Sequence, residues 1–281
     1  MELRPFGPTG RDVSVIGEGT WYIERSERQS AIATLRRGLD LGMNLIDTAE
    51  LYGRGVAEEI VGEAIAGRRD EAYLVSKVMP QNASREGTMK ACERSLARLG
   101  TDSLDCYLLH WRGDYTLEET ISAFEELKRQ GKISSWGVSN FDVADLEEAW
   151  DAAGGSGHIA TNQVLYHLQD RAIEHEVVPW CEKHGVAVLA YSPFGHSNFP
   201  APNTAGGRVL QKIADAHQAT PRQVALRFLT RSPSVFAIPK ASTPGHLEEN
   251  AGASKVHLTE EETALIDSAF PLGPSRGLPT L

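Results

Sequence analysis

Four residues of this sequence have side chains that could do chemistry together: Asp47, Tyr52, Lys77 and His110. Asp47 and Tyr52 lie five residues apart in Asn44–Gly53, a short apolar run that ends in a polar turn. Lys77, after Ser76, and His110 close two other apolar runs, Tyr73-Leu74-Val75 and Leu108-Leu109. An acid, a phenol, an ammonium and an imidazole on one rim permit proton donation to a carbonyl. A free tyrosine, with a pKa of about 10, is a poor acid near neutrality. A neighbouring ammonium favours the phenolate and lowers that value. A carboxylate paired with the ammonium holds it in place, and the imidazole can donate to a substrate oxygen as negative charge develops there. Together these make general acid catalysis for a hydride transfer. The hydride itself requires a nicotinamide cofactor. Singly, each residue has a plainer role: Asp47 as a turn cap, Lys77 as a strand-end lysine reaching solvent, His110 as a satisfied core histidine, Tyr52 as a cover over a barrel mouth.

The elements that must position them alternate. Strands are expected at Ser14–Ile16, Leu45–Ile46, Ala72–Ser76, Leu104–Leu109, Ile133–Val138, Thr161–Val164, Ala187–Ala190 and Val235–Ile238. Helical spacing recurs at Ser30–Leu41, Ala57–Ala66, Ser84–Leu99, Thr116–Gln130, Asp142–Ala153, Val177–His184, Val209–His217 and Pro221–Leu229. Two more helices, Pro244–Ala253 and Thr259–Ala269, close the chain. Ser84, Asp142 and the Thr220-Pro221 pair are N-terminal caps. Pro193–Gly207 is the longest stretch without a pattern. The strands are rich in Val, Ile and Leu, as in a parallel sheet buried on both faces. The rhythm predicts one (β/α)8 TIM barrel over residues 1–281, with extra C-terminal helices. A doubly wound sheet would want Gly-x-Gly-x-x-Gly after its first strand. Gly17-Glu18-Gly19 is followed by Trp21-Tyr22, without the third glycine.

The chain has 281 residues, 41% hydrophobic and 23% charged, with a formal net charge of −10. That balance argues against nucleic acid, and no apolar run approaches the length of a membrane span. Three unpaired-looking cysteines, Cys92, Cys106 and Cys181, argue against a disulfide framework and for a reducing compartment. The N-terminus lacks a signal-peptide core, so a cytoplasmic protein is expected. The nine histidines show no paired metal-ligand spacing, so no metal is expected, and Glu174-His175-Glu176 reads as a solvated turn.

Residues 42–53, Gly-Met-Asn-Leu-Ile-Asp-Thr-Ala-Glu-Leu-Tyr-Gly, resemble the signature of the aldo-keto reductases, and the likeness runs from about Leu3 to Asn250. The resemblance implies Tyr52 as proton donor, Asp47 and Lys77 as the pair that tunes it, and His110 as the residue that orients the carbonyl. It implies that Ser139, Asn140 and Gln163 bond the nicotinamide carboxamide and that Tyr191 stacks on its ring. Gly19, Thr20, Trp21 and Asp47 belong to the same cofactor surface. Ser192, Phe194 and Gly195, in Ser192-Pro193-Phe194-Gly195, match the loop that crosses the pyrophosphate. Pro239, Lys240, Ala241, Ser242, His246, Glu249 and Asn250 match the adenosine end. Lys240 with Ser242 or Thr243 and the following helix N-terminus also makes an anion site without the family label. His246 stands where the family usually has Arg, and Ala241 where it often has Ser. A neutral imidazole gives no permanent planar charge, so NADP(H) is expected with NAD(H) tolerated. Glu50 gains no role and reads as a rim or surface carboxylate.

Trp21, Tyr22, Trp111 and Phe194 would wall the substrate pocket around Tyr52 and His110. The loop Arg112–Tyr115 and the tail after Phe270 are short, which suggests an open site for small aldehydes, ketones or sugar-derived carbonyls. Most relatives work as monomers, and a monomer is expected. Two other classes fit parts of the sequence: a barrel lyase using Lys77 as a Schiff-base nucleophile, and a cofactor-binding regulatory or redox-sensing subunit with little turnover.

Overall fold

The structure, a computed structural model, describes residues 1–155 and 157–280. The chain opens with an antiparallel hairpin, β1 (Leu3–Pro5) and β2 (Asp12–Ser14). Eight strands then run parallel in chain order: β3 (Glu18–Gly19), β4 (Leu45–Asp47), β5 (Tyr73–Val78), β6 (Leu104–Leu109), β7 (Ile133–Ser139), β8 (Ile159–Leu165), β9 (Ala187–Tyr191) and β10 (Val235–Ala237). The sheet closes on itself. Ile16 and Gly19 bridge in parallel to Ala237 and Lys240, and Ala237 N donates to Val15 O while Gly17 N donates to Ala237 O. A Cβ on Gly19 would lie 2.5 Å from Ile238 O, so the seam needs a glycine there. The result is the (β/α)8 barrel that the βα rhythm predicts.

Around it stand α1 (Arg28–Asp40), α2 (Val56–Ile65), α3 (Arg85–Leu99), α4 (Leu117–Arg129), α5 (Val143–Ala152), α6 (Val177–His184), α7 (Ala205–Ala216), α8 (Pro221–Leu229), α9 (Pro244–Gly252) and α10 (Glu260–Ala269). Ser84, Thr116, Asp142 and Thr220 are the N-caps of α3, α4, α5 and α8, each side chain accepting the N3 backbone N–H. No helix among the described residues is long and apolar enough to cross a membrane.

Three expectations need correction. The first barrel strand is Glu18–Gly19, not Ser14–Ile16. Ser14 ends the hairpin, and its hydroxyl accepts Leu45 N while its own N–H bonds Asn44 Oδ1, so the segment spends its polar groups tying the hairpin to β4. The hairpin's Phe6 fills the barrel interior, 5.0 Å from the rings of both Tyr73 and Phe236. Next, α7 begins at Ala205, inside the stretch read as patternless. Gly206 and Gly207 weaken helix propensity there, yet a Cβ on either would strike Phe270 (2.4 Å) or Ala201 O (2.0 Å). Close packing requires the glycines that hide the helix. Finally, Glu174 is no solvated turn residue: it accepts from Tyr166 Oη, Arg171 and Arg231 in one part-buried network.

Glu18 stands out energetically. It lies on β3 with both carboxyl oxygens buried and without a hydrogen-bond partner, against Gly38 of α1, where a Cβ would come 2.0 Å from Oε1. Burial pushes its pKa well above the ordinary value. The folded chain therefore keeps a proton that the unfolded chain releases above about pH 4.3. Stability from this group is full below the unfolded value and is lost as pH rises toward the folded one. Glu18→Met is expected to stabilise by about 1–3 kcal/mol near neutrality, and the gain over wild type should widen from pH 5 to pH 9 in urea melts. A gain that does not vary with pH would contradict the assignment.

Candidate active site

The C-terminal ends of β4, β5 and β6 bring Asp47, Lys77 and His110 to one rim, as parallel strands of a barrel must. Tyr52 arrives by a different route. It opens a 3-10 turn, Tyr52–Gly55, that leads into α2, and Gly53, Arg54 and Gly55 all have left-handed backbones (φ 56°, 55° and 95°). Two of these are glycines, which take that conformation without cost. Lys77 Nζ is fully buried and donates to three oxygens: the Asp47 carboxylate at 2.8 Å, Thr48 O at 2.8 Å and Tyr52 Oη at 3.1 Å. An ammonium has three N–H donors, and all three are used, so this lysine offers no free amine to a carbonyl.

Because Tyr52 Oη accepts from Lys77, its own O–H is turned to the cleft. Burial, and after it the Asp47 charge, push the phenol well above its usual pKa. This corrects the expectation that Lys77 lowers it. Asp47 lies on the same ammonium and cancels much of its field at the phenol. Burial pushes Asp47 up and Lys77 down, while each one's charge opposes the shift in the other. His110 is pushed well below its usual pKa, first by burial and then by Lys77's charge, so the imidazole is neutral. Its Nδ1 is buried without a partner, and its ring meets Tyr52 edge-on at 5.7 Å. A buried lone pair left unmatched costs less than a buried N–H, which favours the tautomer with the proton on Nε2.

The residues expected at the nicotinamide end converge. Gln163 Nε2 donates to Asp47 Oδ1 at 2.7 Å. Ser139 Oγ donates to Gln163 O, and Asn140 Nδ2 reaches Ser139 Oγ and His110 O, both at 3.2 Å. Tyr191 Oη donates to Asn140 Oδ1 at 2.9 Å. These residues line a cleft of about 430 Å³, together with Gly19, Trp21, Tyr22, Asp47, Tyr52, His110, Trp111, Ser192, Phe194, Pro239 and Lys240. Thr20 does not join them: it is fully buried and its hydroxyl bonds Asp47 O, so it supports the strand end. Gly195, Ala241, Ser242, His246, Glu249 and Asn250 also lie outside the cleft wall. Ser242 Oγ accepts from Lys240 Nζ. Thr243 is already engaged as the N-cap of α9, its Oγ1 accepting His246 N, which leaves Ser242 as the partner of Lys240. Burial lowers the Lys240 pKa, with Glu24 opposing.

Pro193 of the Ser192–Gly195 loop also lines the cleft, and so do Leu51, His196, Ser197 and Ile238, to which the sequence assigns no role. His196 stacks on Trp21 at 5.2 Å, and Trp21 on Tyr22 at 4.5 Å. His196 and Ser197 lie in the patternless stretch, where no periodicity marks a residue as inward. Glu50 is not a surface carboxylate. It is 7% exposed and accepts from Met79 N and Asn82 Nδ2, both at 2.8 Å, so it ties the loop after β5 to the Asp47–Tyr52 turn. Among the described residues no group of three or more His, Cys, Asp or Glu is placed to hold a metal.

The profile of the aldo/keto reductase family matches residues 15–270. The chain is 47% identical over 264 residues to the methylglyoxal reductase YeaE of Escherichia coli, covering 92% of this chain and 93% of that one. It is 33% identical over 258 residues to the methylglyoxal reductase DkgB of Salmonella typhi, covering 89% and 90%. The crystal structure of an aldo/keto reductase from Klebsiella pneumoniae in complex with NADP and acetate superposes with a TM-score of 0.94 at 42% identity over the whole of both chains. A second structure from that organism, in complex with NADPH, gives 0.93 at 43%, again over both whole chains. The chain therefore belongs to the aldo/keto reductases, a family of NADP(H)-dependent oxidoreductases that act on carbonyl groups.

Proposed function

We propose that this chain reduces small, uncharged aldehydes and ketones to alcohols with NADPH, α-oxoaldehydes of the methylglyoxal type among them, and that Tyr52 supplies the proton. The observation that carries the reading is the Asp47–Lys77–Tyr52 chain of hydrogen bonds, 2.8 and 3.1 Å long, buried at its Asp47–Lys77 end and opening on a cleft beside a neutral His110. The donor set of that cleft fits a dinucleotide. Ser139, Asn140 and the remaining carbonyl oxygen of Gln163 suit a carboxamide, the Tyr191 ring suits a planar nicotinamide, and Lys240 with Ser242 suits a phosphate. Bound NADPH supplies the hydride. Gln163 and Lys77 hold Asp47 from two sides, and Asp47 with Thr48 O fixes Lys77. Lys77 turns the Tyr52 O–H toward the substrate oxygen, and His110 Nε2–H donates to that same oxygen and orients it. As charge develops on it, Tyr52 gives up its proton and Lys77, at 3.1 Å, stabilises the phenolate left behind.

The wall of Trp21, Tyr22, Trp111 and Phe194 favours apolar substituents. The C-terminal tail supports the reading of an open site. Arg276 pairs with Asp170, Gly273 O meets His175, and no tail residue through Thr280 lines the cleft. A panel of methylglyoxal, benzaldehyde and a ketosteroid, followed at the NADPH absorbance, is expected to give turnover with the first two. No turnover with any aldehyde would favour the regulatory-subunit reading, and tight-KM steroid turnover would sink the small-carbonyl assignment.

A further inference from the structure

Behind the proton donor lies a second buried ion pair that the reaction as described does not use. Glu58 of α2 is fully buried. Its Oε1 accepts from Ser76 Oγ at 2.6 Å, and its Oε2 accepts from Arg98 Nε at 2.6 Å. Ser76 precedes Lys77 on β5. Successive strand residues point to opposite faces, so Lys77 faces the barrel interior and Ser76 the helix layer. Arg98 lies in the last turn of α3, and its side chain lies directly beneath Gly55: a Cβ there would be 2.6 Å from both Cδ and Nε of Arg98. Gly62 lets the helices approach this closely, since a Cβ on it would come 2.6 Å from Leu99 O.

These contacts converge on one short piece of chain. The left-handed turn Gly53–Gly55 joins Tyr52 to α2. Arg54 is held at φ 55° without being glycine, a conformation that persists only when its surroundings impose it. The guanidinium under Gly55 supports the turn from below. Glu58 fixes that guanidinium and, through Ser76, fixes α2 to the strand that carries Lys77.

We propose that Glu58, with Arg98 and Ser76, is a positioning cluster that sets the distance between the Tyr52 hydroxyl and the Lys77 ammonium, and so the aim of the proton. The inference rests on Tyr52 as the donor. Glu58 never touches substrate or cofactor; it acts by holding the Tyr52 turn and the Lys77 strand in register. A donor displaced by about 1 Å loses on the order of 100-fold in rate, so a loosened clamp is read in kcat rather than in binding.

The test compares Glu58→Gln, Ser76→Ala and Arg98→Lys with Tyr52→Phe and with Asp105→Asn. Asp105 is another buried carboxylate, held by Arg69 at 2.8 Å and by Leu74 N at 2.9 Å, at the opposite end of the barrel. Glu58→Gln is expected to lower kcat by about 10- to 100-fold and to raise the solvent deuterium isotope effect on kcat. The carbonyl KM and the NADPH Kd, measured by fluorescence quenching, should not change. Ser76→Ala, which keeps the ion pair and so the fold, is expected to show a smaller loss of the same kind, and Arg98→Lys a partial rescue relative to Arg98→Gln. Asp105→Asn is expected to lower Tm with kcat intact. If Glu58→Gln and Ser76→Ala behave like Asp105→Asn, losing Tm at wild-type kcat, the cluster is structural only and the proposal falls. Should Glu58→Gln fail to fold, Ser76→Ala decides. Full activity in Tyr52→Phe would instead overturn the proton-donor reading itself.

Discussion

Tyr52→Phe is expected to lower kcat for carbonyl reduction by about 10²–10⁴-fold while leaving the NADPH Kd and Tm near wild type. The ring's packing survives the substitution: Lys77 Nζ lies 4.7 Å from the ring centroid and the His110 ring meets it edge-on. What is lost is the O–H turned to the cleft, for which no neighbour substitutes. Asp47 and Lys77 are committed to each other, and His110 is neutral, a far weaker proton donor than a phenol. The same electrostatics set the pH profile. The phenol is held well above its usual pKa and the imidazole well below its own, so neither changes charge between pH 6 and 9. The rate of the reduction step, measured in single turnover, is expected to be flat over that range. A limb near neutrality would mean that one of the two ionises there.

Lys77→Met is expected to cost about 3–5 kcal/mol of stability as well as activity. It leaves Asp47, 1% exposed, with only the Gln163 amide against its carboxylate. Burial already pushes Asp47 up, and the ammonium is the first influence opposing that rise. Without it, the folded-state pKa climbs further above the unfolded one. A raised folded pKa means that stability is greatest below the unfolded value and is lost as pH rises. The variant should therefore melt closest to wild type in mild acid and fall behind toward pH 8. Adding Asp47→Leu should recover most of the lost stability, because the lone charge is gone, and none of the activity. If the double variant is no more stable than the single one, the buried charge is not what destabilises it. A double-mutant cycle in urea separates the two cases.

Much of the barrel is legible in sequence because its signals are local. An apolar run with a polar residue at its end marks where a parallel strand stops, and strands that all point one way carry those ends to one face. Asp47, Lys77 and His110 can be named for that reason, whereas Ser139, Gln163 and Tyr191 are named by the likeness to the aldo-keto reductases. Other features could not. The Gln163–Asp47 bond spans 116 residues, and nothing near either residue announces the other. Glu58 looks like any acidic residue in the first turn of a helix. Glu18 looks like a turn carboxylate between two glycines. Thr20 sits among cofactor-facing neighbours yet turns inward. His196 and Ser197 have no period around them. In each case the deciding fact is what packs against the side chain from a distant part of the chain.

The sequence by itself determined the βα order, the N-caps Ser84, Asp142 and Thr220, and the acid, ammonium and imidazole brought to the barrel mouth, since each depends on residues within a few positions of one another. Only the tertiary structure decided the charge states of those groups. A Lys beside a Tyr in sequence reasoning lowers the phenol's pKa. In the folded chain the pair is largely withdrawn from solvent and Asp47 shares the ammonium, so Tyr52 keeps its proton more firmly than a free tyrosine. Ionisation depends on the field from every nearby charge and on the loss of solvent, and both are properties of the closed barrel rather than of any stretch of it.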